Sequence, residues 1–71
     1  MQINERIKEA REKAGYTQRE IAPLLNTTYQ QIGKYERGIQ EMTASRLKAF
    51  CEICNADANW ILGISEYSIE N

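Results

Sequence analysis

"TQREIAPLLNTTYQQIGKYERG", residues 17–38, is the stretch that decides how this chain folds. Thr17 followed by Glu20 spells a capping box, in which the hydroxyl and the carboxylate satisfy each other's backbone amides at the start of a helix. Ile21, Leu24 and Leu25 then supply an inward face, and Asn26, which tolerates left-handed backbone, ends it. Thr28 with Gln31 repeats the box eleven residues later, and Ile32 and Tyr35 form the inward face of a third helix. Two short helices joined by a tight turn result.

Two residues strain this reading. Pro23 falls inside the first of these helices, where it removes one amide donor at a cost of about 3 kcal/mol unless the helix bends. Gly33 falls inside the second, costing about 1 kcal/mol relative to Ala. Its missing Cβ is either tolerated or used, by letting a backbone, a phosphate or a base edge come close.

Working outward, Ile3, Ile7, Ala10 and Ala14 recur at helical spacing over residues 3–14, and Gly15 closes that helix. After residue 38, Thr43 caps a fourth helix whose inner face is Leu47, Phe50, Cys51 and Cys54, ending at Asn55. Asp57 caps a fifth that carries Trp60, Ile61 and Ile64, with Gly63 near its end. No β-alternation occurs, so the expectation is an all-α fold of five helices with short connections over residues 1–64 and a tail over 65–71.

With 71 residues, 27% charged and 42% hydrophobic, the chain has room for one modest core. No apolar run approaches the roughly 18 residues of a membrane span, and the charged start "MQINERIKEA" is unlike a signal peptide, so a cytoplasmic protein is expected. The absence of His and of a second Cys pair leaves the Cys51–Cys54 CxxC without the ligands for a zinc site. It also closes a helix rather than opening one, so both thiols are expected to pack as small hydrophobes. Neither a metal nor any other cofactor is expected, and an enzyme is the weakest reading, since the carboxylates mostly sit beside bases at helical spacing.

A capped helix, a tight turn and a second helix with polar residues at its start form the architecture of a DNA reader. Residues 17–38 also resemble the phage lambda-repressor-like, Cro and XRE-type helix-turn-helix family. The resemblance rests on Thr17 and Gln18, on Ile21, Ala22 and Leu25, and on Ile32, Tyr35, Glu36 and Gly38. It extends through "INERIKEAREKAGYTQ" before the motif and "NADANWILG" after it.

That resemblance implies a compact lambda-repressor-like domain whose third helix lies in the major groove of double-stranded DNA. Tyr29, Gln30, Gln31 and Lys34 would then read base edges. Gln matches the donor–acceptor edge of adenine, Lys reaches guanine O6 or a phosphate, and Tyr29 suits a thymine methyl or a phosphate. Phosphates would be held by Gln18 and Thr28 near helix starts, with Arg11, Arg37, Thr43 and Arg46. Asn26 stands where the family usually has Gly, and Glu41 where it often has a base, which weakens one phosphate contact.

The net charge of -1 stands at odds with a polyanionic partner until the chain is divided. Residues 1–48 hold nine bases against six acids, a balance of +3, while residues 49–71 hold four acids and no base, a balance of -4. A basic half can face DNA with the acidic half turned away. Arg6, Lys8 and Lys13 alternate with Glu5, Glu9 and Glu12 and are expected on a solvated, ion-paired surface. Few phosphate contacts imply modest affinity per subunit, which a homodimer on a palindromic operator offsets. Ile61, Leu62, Ile64, Tyr67 and Ile69 are the expected dimer surface. The functional expectation is a transcriptional regulator, a repressor acting by occlusion. The competing one is an antitoxin or anti-repressor whose acidic C-terminal half binds a protein partner.

Overall fold

A computed structural model describes residues 2–64, which form five helices: α1 (Ile3–Lys13), α2 (Gln18–Leu24), α3 (Tyr29–Glu36), α4 (Ala44–Cys54) and α5 (Ala58–Leu62). No strand occurs among the described residues. The tail expected over 65–71, with Tyr67 and Ile69, lies outside them.

Local chemistry sets the boundaries. Thr17 Oγ1 accepts from the Glu20 amide at 3.0 Å, and the Thr17 amide donates to Glu20 Oε1 at 2.9 Å, so the first capping box is complete. Thr43 and Asp57 cap α4 and α5 as expected, at 3.2 and 2.9 Å. Asn26 and Asn55 hold φ of 58° and 52°, the left-handed backbone that turns the chain after α2 and α4. The Thr28 box is only half made: its hydroxyl accepts from the Gln31 amide at 3.2 Å, but the Gln31 side chain does not answer, and its Nε2 is enclosed without a partner. Pro23 sits on the exposed side of α2, one residue before the helix stops. The Leu25 amide already reaches the carbonyls of Ile21 and Ala22, so the missing donor costs a single rung.

Helix α1 is the hub, packing on α3, α4 and α5, while α2 and α3 pack on each other. The core runs through Ile7 and Ala10 of α1, Ile21, Ala22 and Leu25, Ile32 and Tyr35, Phe50 of α4 and Ile61 of α5. Cys51 and Cys54 are half-buried against it, and burial pushes the Cys54 thiol up to about 11 and raises Cys51 as well. No helix among the described residues is long and apolar enough to cross a membrane.

Four expectations about facing are corrected. The buried stripe of α1 is Arg6, Ile7, Ala10 and Arg11, rotated from the expected one, and it leaves Ile3 and Ala14 exposed. Arg6 is not a solvated surface residue: its guanidinium lies 5.1 Å from the Trp60 ring centre and donates to the Trp60 carbonyl, tying α1 to α5. Leu24 points to solvent, because Ile21 and Leu25, four apart, define the buried line of α2. Ile61, expected on a dimer surface, is fully enclosed at 0% exposure, while Leu62 and Ile64 beside it are open. Of the expected surface ion pairs, Lys13 meets Glu9 one turn away at 3.5 Å.

Candidate nucleic-acid interface

Helix α3 buries Ile32, Tyr35 and Glu36 and leaves Gln30, Lys34 and Arg37 exposed along its outer side at four- and three-residue spacing. Two of the expected base readers, Gln30 and Lys34, therefore share one open face. Tyr29 is half-buried with its ring against the core, and Gln31 is half-buried with its amide nitrogen enclosed, so those two are held from below.

Behind this face lies a buried charge cluster joining three helices. Arg11 of α1 donates to the Glu36 carboxylate of α3 through Nε at 2.6 Å and Nη2 at 3.2 Å, and to the Tyr16 carbonyl at 2.6 Å. Gln18 at the start of α2 donates Nε2 to the same carboxylate at 3.0 Å. The hydrogen bond from Arg11 to Glu36 raises the guanidinium pKa above its ordinary value, outweighing burial, so Arg11 stays charged. Asn4 adds a bond from Nδ2 to the Glu36 carbonyl at 3.0 Å, pinning the N-terminus of α1 to the end of α3.

Arg11 was expected to hold a phosphate, and this arrangement corrects that. Its side chain is 8% exposed, and its charge is spent on Glu36, so it fixes the angle between the helices. Glu36, an acid at the end of α3, is neutralised from behind and does not oppose an approaching anion. Gln18 is half-buried, with one amide proton committed to Glu36. Thr28 and Thr43 are exposed caps. Arg46 binds the Tyr35 hydroxyl at 2.9 Å and the Asn26 carbonyl at 3.5 Å, bracing α4 against α3 and the turn after α2.

Gly33 has a specific use. A Cβ there would stand 2.9 Å from Nη1 of Arg37, so the missing side chain lets the Arg37 guanidinium lie down against α3. The group that comes close is thus a side chain of the same helix. Because that group is the mobile end of an exposed arginine, Gly33→Ala is expected to push it aside and raise stability by about 0.5–1 kcal/mol through helix propensity. In a thermal melt this is an increase of roughly 2–8 °C, and a fall would show that something stiffer than Arg37 limits the position.

One cation was missed entirely. Arg19, on the exposed side of α2, stacks on the ring of Tyr29 with its guanidinium carbon 3.9 Å from the ring centre. Such a pair contributes about 0.5–1 kcal/mol at an exposed site. It walls an open concavity of about 610 Å³ between the 15–17 turn and the start of α3. The signal in the sequence is faint: one arginine two residues after a cap and one tyrosine after the next cap.

A capped helix crossing a second across a short turn, with the second helix polar on its outer side, defines a helix-turn-helix domain. The chain belongs to the helix-turn-helix family, whose model matches residues 7–61. It is 37% identical over all of its 71 residues to the HTH-type transcriptional regulator ImmR of Bacillus subtilis (strain 168), covering 56% of that protein. It is 34% identical over 58 residues to an uncharacterized HTH-type transcriptional regulator of Sinorhizobium medicae (strain WSM419), covering 82% of this chain and 42% of that one. The chain thus spans about half the length of the curated relatives it matches. Among solved structures, the P22 c2 repressor in complex with a synthetic operator matches with a TM-score of 0.80 at 20% identity, over 90% of this chain and 97% of that one. This likeness shows the lambda-repressor-like fold.

Proposed function

We infer that the chain is a sequence-specific double-stranded DNA-binding transcriptional regulator, with α3 as the helix that enters the major groove. The observation that carries this is the division of α3: Ile32, Tyr35 and Glu36 face inward, and Gln30, Lys34 and Arg37 form one open, basic, hydrogen-bonding edge. Gln30 and Lys34 read bases, with Tyr29 and the partly enclosed Gln31 at the start of the helix. Arg37, Thr28, Gln18, Thr43 and the free edge of Arg46 hold the backbone. Names of the relatives as transcriptional regulators, and the operator bound to the P22 c2 repressor, support the same reading.

The regulation proposed is repression by occlusion of the bound site, with residues 1–64 as the DNA-binding unit, working in the cytoplasm where the DNA is. Two subunits on a palindromic operator would place their α3 helices about 34 Å apart. Of the residues expected on the homodimer surface, Leu62 and Ile64, at 40% and 48% exposure, are the described ones that stand open to it. Their exposure equally suits the protein partner of an antitoxin or anti-repressor.

Selection of bound duplexes from random DNA is the deciding experiment. An enriched half-site is expected, with Gln30→Ala and Lys34→Ala each weakening binding to it by about 5- to 150-fold. No enrichment even at low salt would remove DNA reading in favour of the protein partner, and variants that bind the enriched site as the parent does would remove Gln30 and Lys34 as its readers.

A further inference from the structure

Arg19 is the one strongly placed group near α3 that the reading above does not use. It belongs to α2, the helix that in this architecture crosses the DNA backbone. Its guanidinium, however, does not stay with α2. It lies at 3.9 Å over the ring of Tyr29, the first residue of α3, and so has been carried to the end of the helix whose first residues meet base edges. Among the described residues no carboxylate pairs with it.

Stacking has a geometric consequence. At 3.9 Å from the ring centre the guanidinium carbon is at stacking distance, and a guanidinium stacked face to face keeps its N–H donors in its own plane, pointing past the ring edge, and gives up none of them to the contact. Tyr29 is itself wedged against the core, so the platform is stiff and the arginine loses little rotamer freedom on binding. A planar fork of two parallel donors matches the O6 and N7 acceptors of guanine, and its place at the start of α3 would bring it to them if that helix enters the major groove.

We propose that Arg19, seated on Tyr29, is a specificity-determining residue that reads one guanine in each half-site. This rests on the DNA-reading function inferred above. Gln30 and Lys34 read their own positions along α3, and the guanine read by Arg19 lies at the edge of the half-site nearest the start of that helix. A lysine cannot substitute, because it has neither the flat face that stacks nor the fork.

The test uses the whole chain on the duplex it selects. Wild-type protein is expected to prefer guanine at one edge position over the other bases by about 5- to 150-fold. Replacing that guanine by 7-deazaguanine, which removes N7 and keeps the pairing, should cost a comparable factor. Arg19→Ala and Arg19→Lys are expected to lose the preference at that position alone, and to be indifferent to 7-deazaguanine. Tyr29→Phe, which keeps the ring, retains the preference whatever it does to overall affinity, and Tyr29→Leu loses it. Arg19 is exposed, so its variants should stay folded and melt only about 2–8 °C below the parent through loss of the stack, and they carry the decision if Tyr29→Leu is unstable. The proposal is overturned if Arg19→Ala weakens all duplexes by one common factor with a shallower salt dependence, the signature of a phosphate contact, or if it selects an unchanged site. A wild-type protein that selects no sequence would overturn the DNA-reading function and this proposal together.

Discussion

Glu36→Ala is expected to lower the unfolding free energy by about 3–5 kcal/mol, the largest effect of any single change in the reading motif. The carboxylate is 4% exposed and serves three donors, two from Arg11 and one from Gln18. Removing it strands a guanidinium that burial keeps from water and leaves the Gln18 amide unpaired. A chain of this length has roughly 4–10 kcal/mol in hand, so the variant should melt on the order of 20 °C lower or fail to fold. The companion Arg11→Met/Glu36→Leu, which replaces both charges with apolar volume, is expected to be more stable than either Arg11→Met or Glu36→Leu alone. Urea titrations followed by circular dichroism would read all four proteins. A midpoint for Glu36→Ala within about 4 °C of the parent in the matching melt, near 1 kcal/mol, would mean the pair is dispensable.

Ile61→Ala is expected to cost about 2–5 kcal/mol of folding stability, since the side chain is fully enclosed between α1, α4 and α5 and leaves a cavity. Leu62→Ala, one residue on but open to solvent, should change stability by only about 0.5 kcal/mol. Light scattering separates the two roles. If this end of the molecule forms the dimer, Leu62→Ala weakens association with the unfolding midpoint unmoved. A Leu62→Ala variant that unfolds as early as Ile61→Ala would show the two faces of α5 to be assigned wrongly.

These two residues also show where the sequence was readable. Thr17, Thr43, Asp57, Asn26 and Asn55 act within four residues of themselves, so their caps and turns stand out in one dimension. The facing of α1 does not, because Ile7 and Ala10 fit both the expected stripe and the true one. The choice between them is made by Arg6 and Arg11, long side chains that bury their stems and look polar in any hydropathy pattern. Their partners lie 54 and 25 residues away, at Trp60 and Glu36, and nothing local announces them. Helix α5, at five residues, is too short for a period to tell Ile61 from Leu62. The outer face of α3 was legible from its caps and core residues, whereas the Arg19–Tyr29 stack depends on how two helices cross.

The division of α3 has a consequence for how such chains diversify. Residues that hold the helix in place (Ile32, Tyr35, Glu36) and residues that meet the outside (Gln30, Lys34, Arg37) occupy separate sides of one eight-residue helix and its cap. If α3 reads DNA as inferred, mutation can explore new target sites at positions 30 and 34, and adjust the grip on the backbone at 37, almost free of any folding penalty, while positions 11, 18 and 36 must change together or not at all. A lineage built on this scaffold should drift quickly in what it recognises and slowly in how it stands.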